Sequence, residues 1–299
     1  MKDLDSYRVW TAIITPMNKD GSLDLGSFEQ ILRRQEAAGN AITILGSTGE
    51  ALNIDESERK QILDFALGLK LKVPIMVGVG GINVQEQAKW IEYLNDLEVD
   101  AYLLVVPLYA KPGVHGQYGW FKYLLDISKR PCMLYNVPGR TAKNLELKSL
   151  SMLVDHPNLW GIKEASGSEK DFLAYAETAP SARMMSGDDP MLPAFSKLGA
   201  KGVVSVASNV WPEATNLYAK QCLEDTFKDK AVWEKATTAL FCASNPVPVK
   251  ALMHDLGMIK YPTVRLPLSN KDMTDMNIVR EANQLIKDWL ANSAEDRSA

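Results

Sequence analysis

Lys163 stands at the end of a short apolar run, Leu159-Trp160-Gly161-Ile162-Lys163-Glu164, and Tyr135 at the end of another, Pro131-Cys132-Met133-Leu134-Tyr135. In the lysine run, period-2 alternation puts Trp160 and Ile162 on one face and Gly161 and Lys163 on the other. A strand whose bulky face packs on helices then aims the ammonium into an interior. Burial disfavours the charged form, by up to roughly 3–5 pKa units for a fully buried lysine, and an ammonium so treated becomes an amine able to attack a carbonyl. Tyr135 is placed to supply or accept the protons that carbinolamine formation and dehydration require. For any single lysine the alternative is a side chain reaching past a strand end to a surface carboxylate, so the elements that carry these residues have to decide.

Those elements alternate. Strand patterns run over Val9 to Thr15, Ala41 to Leu45, Pro74 to Gly80, Ala101 to Pro107, the tyrosine run, the lysine run, Ala182 to Ser186 and Gly202 to Ala207. Helical spacing or start signals fall between them: Leu25 to Ala38, a capping box at Asp55 and Glu58, Asn83 with Glu86, Gln117 to Ser128, Leu145 to Val154, Ser168 with Asp171, and Met191 to Leu198. Gly78-Val79-Gly80-Gly81 has Asn83 where a dinucleotide loop needs its last glycine, and reads as a tight strand-to-helix turn. Eight strand-helix alternations predict an α/β protein of the (β/α)8 TIM-barrel class rather than an open sheet. In that architecture the site lies at the carboxyl ends of the strands, where Ser47, Thr48, Tyr109, Tyr135, Arg140, Lys163, Gly187 and Asp188 all fall.

From about Trp211 the strand signals fade into helical patterns over Leu217 to Lys228, Val232 to Ser244, Val249 to Leu256 and Asp272 to Leu290, broken at Asn245-Pro246-Val247-Pro248-Val249-Lys250 and at Arg265-Leu266-Pro267. The expected division is a barrel over 1–226 and a helical appendage over 227–299, with packing and oligomer contact as the appendage's role. Ala291 to Ala299 reads as a frayed end.

Composition excludes other classes. The chain has 299 residues, 46% of them apolar and 23% charged, as in globular enzymes. Its 33 basic and 37 acidic residues give a net charge of −4 without a basic tract, which argues against nucleic acid and anionic membranes as partners. The start, Met1-Lys2-Asp3-Leu4-Asp5, is charged where a signal peptide would enter its apolar core, and a cytoplasmic location is expected. Cys132, Cys222 and Cys242 are far apart, lack CxxC spacing and read as packing residues of a reduced compartment. His115, His156 and His254 are too widely separated for metal-ligand spacing, so no metal is expected.

Taken together, the motifs resemble the class I pyruvate aldolases, the family that contains the dihydrodipicolinate synthases and the N-acetylneuraminate lyases. Gly46-Ser47-Thr48-Gly49-Glu50 is similar to that family's pyruvate-carboxylate loop, Tyr135-Asn136-Val137-Pro138 to its proton-transfer segment, and Gly161-Ile162-Lys163-Glu164 to its Schiff-base lysine. The resemblance implies that Lys163 forms a covalent imine with pyruvate, with no separate cofactor, while Ser47 and Thr48 hold the pyruvate carboxylate. It implies a hydroxyl relay of Ser47, Tyr135 and Tyr109, with Tyr109 reaching across from a neighbouring subunit of a homotetramer built as a dimer of dimers. Val204 would offer its carbonyl near the lysine, and Gly187 joins the substrate-binding set. Tyr-Asn-Val-Pro-Gly-Arg-Thr, with Arg140, is similar to the synthase branch, where that arginine holds the carboxylate of aspartate semialdehyde. The implied activity is a lyase-type condensation of pyruvate with L-aspartate 4-semialdehyde on the route to diaminopimelate and lysine.

Alternatives stand beside these assignments. Tyr109 is equally readable as a surface aromatic before Pro112, and the fork of Arg140 suits a structural carboxylate as well. Asp188 and Asp189 look like a carboxylate pair, but adjacent residues point apart, and capping of the helix after the seventh strand is expected instead. Ser47 replaces the family's commoner threonine, keeping the hydroxyl and losing the methyl that restrains its rotamer. The loop Ala51-Leu52-Asn53-Ile54-Asp55-Glu56-Ser57 lacks the histidines of lysine-inhibited members, and Leu108 stands where those often carry tyrosine, so feedback inhibition by lysine is not expected. The rivals in function are a sibling aldolase acting on a sugar-derived 2-keto acid and a non-catalytic barrel that binds a keto acid.

Overall fold

The computed structural model describes residues 2–295, and its strands close into a ring. The strands are β1 (Val9–Ala12), β2 (Ala41–Ile44), β3 (Ile75–Val79), β4 (Ala101–Val105), β5 (Cys132–Asn136), β6 (Leu159–Glu164), β7 (Arg183–Ser186) and β8 (Val203–Ser205). Each pairs in parallel with the next, and β8 returns to β1 with Val203 beside Val9. Around them lie α1 (Leu25–Ala37), α2 (Glu56–Gly68), α3 (Val84–Asn95), α4 (Val114–Ile127), the short α5 (Pro138–Thr141) and α6 (Leu147–Ser151), α7 (Glu169–Thr178) and α8 (Leu192–Lys197). The barrel expected from the alternation is the fold.

Local chemistry explains where helices begin. The side chains of Asp24, Asp55, Asn83 and Ser168 each accept a backbone N–H from the first turn of α1, α2, α3 and α7, satisfying donors the helix leaves unpaired. The expected capping box at Asp55 is only half made. Asp55 caps the Glu58 N–H, but the Glu58 carboxylate turns away to Arg265.

Alternation along the strands divides the core in two. Ile42, Ile44, Val77, Tyr102, Leu104, Leu134, Ile162, Met184 and Val203 face the helices, whereas Trp10, Ala41, Met76, Leu103, Met133, Tyr135, Met185 and Val204 fill the barrel interior. Lys163 falls on the inward phase beside Tyr135 and Met185. Trp160 departs from expectation: it packs with the inner set, its ring centroid 5.7 Å from that of Trp10, rather than sharing the helix-facing side with Ile162. The β5–β6 register shifts between Cys132 and Met133, so Trp160 is skipped in the pairing and is free to turn inward.

After β8, α9 (Pro212–Leu223) is followed by α10 (Lys230–Ala239), α11 (Val247–Asp255) and α12 (Met276–Glu295). Trp233 of α10 stacks on Tyr218 of α9 at 4.0 Å and meets Trp289 of α12 edge-on at 5.1 Å, which joins these helices to the barrel through one aromatic stack. Residues 291–295 are helical where a frayed end was expected, and 296–299 lie outside the described residues. Cys132 and Cys222 are buried packing residues, whereas Cys242 is exposed because it follows the end of α10. Among the described residues no helix is long and apolar enough to cross a membrane.

Candidate active site

Lys163 projects from the carboxyl end of β6 into the barrel and is 5% exposed. Its Nζ lies 4.0 Å from the centroid of the Tyr135 ring, and no carboxylate pairs with it among the described residues. The stem runs past Gly187, where an added Cβ would come within 2.9 Å of Lys163 Cε and 2.6 Å of Ala165 Cβ. Gly187 is therefore a gap through which the lysine passes. Asp188 follows it, and burial pushes its carboxyl up to about 6 against the attraction of Lys163.

The loop after β2 is built on strained backbone. Leu45 and Glu50 have φ of 59° and 57°, in the left-handed region that costs a non-glycine residue roughly 1–2 kcal/mol. The first of these turns sends Leu45 into the helix-facing core beside Ile44. It also drives the Leu45 carbonyl over β3, where a Cβ on residue 78 would lie 2.1 Å from that oxygen. Gly78 is thus required by the neighbouring loop, not by the turn after its own strand. Between the two strained residues, Ser47 is exposed and Thr48 buried, and Thr15 Oγ1 donates to the Gly49 carbonyl at 2.8 Å.

A cavity of about 870 Å³ opens over this end of the barrel, and Ser47, Leu52, Tyr109, Tyr135 and Arg140 are among the residues lining it. Lys163 is not in its wall; it lies one side chain further in, against the Tyr135 ring. Arg140 is exposed on α5, and its Nη2 donates to the Asn245 carbonyl at 3.4 Å. Val204 is buried in the inner layer from β8. Tyr109 is 89% exposed at the cavity mouth, with a φ of 62° that holds it in a left-handed turn.

The carboxylates after β7 do not cap α8. Asp189 is buried and its Oδ2 accepts the N–H groups of Val206 and Ala207 at 3.0 Å, tying the β7 loop to the β8 loop, while Asp188 makes no capping bond. Capping was expected because Asp-Asp-Pro precedes a helix, but the loop after β8 offers better-placed donors.

Sequence reasoning passed over a second buried lysine. Lys250 of α11 is fully buried, and its Nζ meets Glu50 Oε1 at 2.5 Å and the Thr263 carbonyl at 2.8 Å. Burial pulls Lys250 below the usual lysine range, opposed by Glu50. The Arg265 N–H donates to Glu50 Oε2, and the Arg265 guanidinium grips both oxygens of Glu58 and the carbonyls of Gly21 and Asn53. Asn245 Nδ2 donates to Thr48 Oγ1 at 2.9 Å. The breaks expected in the appendage are thus the segments that reach back to the Ser47–Thr48 loop. The only signal in the sequence was a lysine and an asparagine within a proline-rich interruption.

The fold and site together define a (β/α)8 barrel whose candidate active site lies at the carboxyl ends of its strands, where a buried lysine rests against a phenol ring and a hydroxyl-bearing loop lines the adjoining cavity. The Dihydrodipicolinate synthetase family model matches residues 5–285, and the chain belongs to that family. It is 49% identical over 287 residues to the 4-hydroxy-tetrahydrodipicolinate synthase of Francisella philomiragia, covering 95% of this chain and 97% of that one. Among solved structures, the fold is similar to that of the dihydrodipicolinate synthase from Acinetobacter baumannii complexed with pyruvate, with a TM-score of 0.87, 31% identity and coverage of 94% and 98% of the two chains. It is also similar to the 4-hydroxy-tetrahydrodipicolinate synthase of Methylacidiphilum fumariolicum, with a TM-score of 0.89, 27% identity and coverage of 97% and 98%.

Proposed function

We infer that this chain is a lyase that condenses pyruvate with L-aspartate 4-semialdehyde to give 4-hydroxy-tetrahydrodipicolinate, through an imine on Lys163. The observation that carries this reading is the Lys163 amine, buried, free of any carboxylate partner among the described residues and set against Tyr135. The amine adds to C2 of pyruvate, water leaves, and the iminium drains electron density from the methyl group, which gives up a proton to become an enamine. The enamine carbon attacks the aldehyde of the second substrate, and the substrate's own amine then adds to C2 and displaces Lys163.

Each proton needs a hydroxyl, and Ser47, Tyr135 and Tyr109 border one cavity. Thr48 and the backbone of its loop cradle the pyruvate carboxylate, Gly187 and Val204 lie beside the imine, and Arg140 at the cavity rim takes the carboxylate of the semialdehyde by its planar fork. Tyr109, exposed in the single chain, completes the relay of a neighbouring subunit in a cytoplasmic homotetramer. The barrel over 1–226 holds the chemistry and 227–299 forms the appendage.

Reduction with borohydride in the presence of pyruvate, followed by peptide mass spectrometry, tests the reading. A carboxyethyl group on Lys163 is expected, and an unmodified Lys163 in active protein would overturn it. A coupled assay comparing aspartate semialdehyde with N-acetylmannosamine tests the acceptor: turnover with the sugar alone would move the chain to the lyase branch of the aldolases.

A further inference from the structure

The Ser47–Thr48 loop is held from outside the barrel. Three groups of the appendage reach it: the Asn245 amide on the Thr48 hydroxyl, the Lys250 ammonium on the Glu50 carboxylate, and the Arg265 backbone N–H on the other oxygen of the same carboxylate. Glu50 and Lys250 are buried and neither lines the cavity, so they do not face substrate. Glu50 is also one of the two left-handed residues on which the loop turns, and its N–H donates to the Ser47 carbonyl at 3.1 Å. A strained loop persists only where its surroundings over-determine it. Here the anchors come from residues about 200 positions away, as the separations of 197 for Asn245–Thr48 and 200 for Lys250–Glu50 record.

We propose that the Glu50–Lys250 pair, together with Asn245, forms a positioning device through which the carboxy-terminal helices hold the Ser47–Thr48 loop in its pyruvate-binding shape. Pyruvate affinity then depends on the appendage, although the appendage touches no part of pyruvate. The proposal rests on the reading of that loop as the pyruvate-carboxylate cradle. The Arg140 Nη2 bond to the Asn245 carbonyl uses backbone and survives side-chain changes at 245.

The test measures half-saturation for pyruvate, by borohydride trapping at Lys163 and by KM, alongside KM for aspartate semialdehyde, well below each variant's melting temperature. Lys250→Met leaves the buried Glu50 carboxylate without its ammonium partner, whereas the double variant Glu50→Gln/Lys250→Met removes both charges. Asn245→Ala leaves the pair in place and serves if either of the others fails to fold. The expected result is a pyruvate half-saturation raised about tenfold or more in Lys250→Met, partly restored in the double variant, and raised severalfold in Asn245→Ala. The KM for the semialdehyde should stay within about twofold, and saturating pyruvate should restore full trapping. Folded variants that keep the parental pyruvate half-saturation, or that lose both substrates equally, overturn the proposal. Thr48→Val is the control: if it too leaves pyruvate half-saturation unchanged, the cradle assignment itself fails; if it raises the value while the appendage variants do not, only the positioning role fails.

Discussion

Replacing Gly187 by alanine adds one methyl group where there is no room for it. An ideal Cβ would lie 2.6 Å from Ala165 Cβ, 2.9 Å from Lys163 Cε and 3.0 Å from the Glu164 carbonyl oxygen. Carbon atoms settle at about 3.5–4.0 Å, so shifts on the order of 1 Å are required. The φ of Gly187 lies outside the left-handed region, so the substitution acts through contact alone. The lysine stem can swing, but Ala165 Cβ and the Glu164 carbonyl are fixed to the backbone. The Gly187 N–H is itself bonded to that carbonyl at 2.6 Å. Relief therefore comes from splaying the ends of β6 and β7 or from moving Lys163 off the Tyr135 ring. Overpacking of this kind costs about 1–3 kcal/mol, and at about 2–4 °C per kcal/mol the melting temperature should fall by roughly 2–12 °C. The kinetic effect is larger, because a displacement near 1 Å of a reacting group is worth about 100-fold in rate. Gly187→Ala should retain its far-UV circular dichroism, lose about 100-fold in kcat and trap pyruvate at Lys163 correspondingly slowly. A variant with kcat within threefold of the parent and an unchanged melting temperature would refute the claim that Gly187 exists to let the lysine pass.

Three further predictions concern the same end of the barrel. Arg140→Ala should leave stability within about 0.5 kcal/mol, as expected of an exposed side chain. Loss of a charge-assisted contact worth about 1.5–3 kcal/mol should raise KM for aspartate semialdehyde roughly 10- to 150-fold while pyruvate KM holds; equal losses for both substrates would count against the assignment. Asp188 keeps its proton up to about 6 in the folded chain, against about 3.9 when unfolded. The native state binds the extra proton between those values, so stability falls as pH rises through the window, by about 3 kcal/mol in all. Asp188→Asn should flatten the profile between about pH 4 and 6 and raise the urea midpoint at pH 7.5, and an unchanged profile would contradict the burial argument. Light scattering on active protein should report a tetramer, and a fully active monomer would rule out a Tyr109 shared between subunits.

What the sequence disclosed and what it withheld follow from the range of the interactions. Strand alternation and the caps at Asp55, Asn83 and Ser168 act over two to four residues, so the barrel and the helix starts were legible. The inward phase of Lys163 was legible for the same reason. Trp160 was misplaced because the register shift that frees it depends on the partner strand β5, which its own run does not contain. Gly78 was read as a turn residue because the carbonyl that excludes a side chain there belongs to Leu45, in the loop after β2. Cys242 lies outside the core because α10 ends before it, and helix boundaries are the least certain part of a periodicity reading.

The two buried lysines make the same point more sharply. Lys163 and Lys250 are both buried, and burial alone does not tell them apart. Their partners tell them apart. Lys250 has Glu50 against its ammonium and the Thr263 carbonyl behind it, so its protons are held by acceptors, and it does not line the cavity. Lys163 has the face of Tyr135, the gap at Gly187 and a cavity beyond the ring. A paired amine holds structure, and an unpaired one beside a cavity is open to a carbonyl. Because Glu50 and Lys250 lie 200 residues apart, the pairing that sets Lys250 apart from Lys163 is seen only in the closed chain.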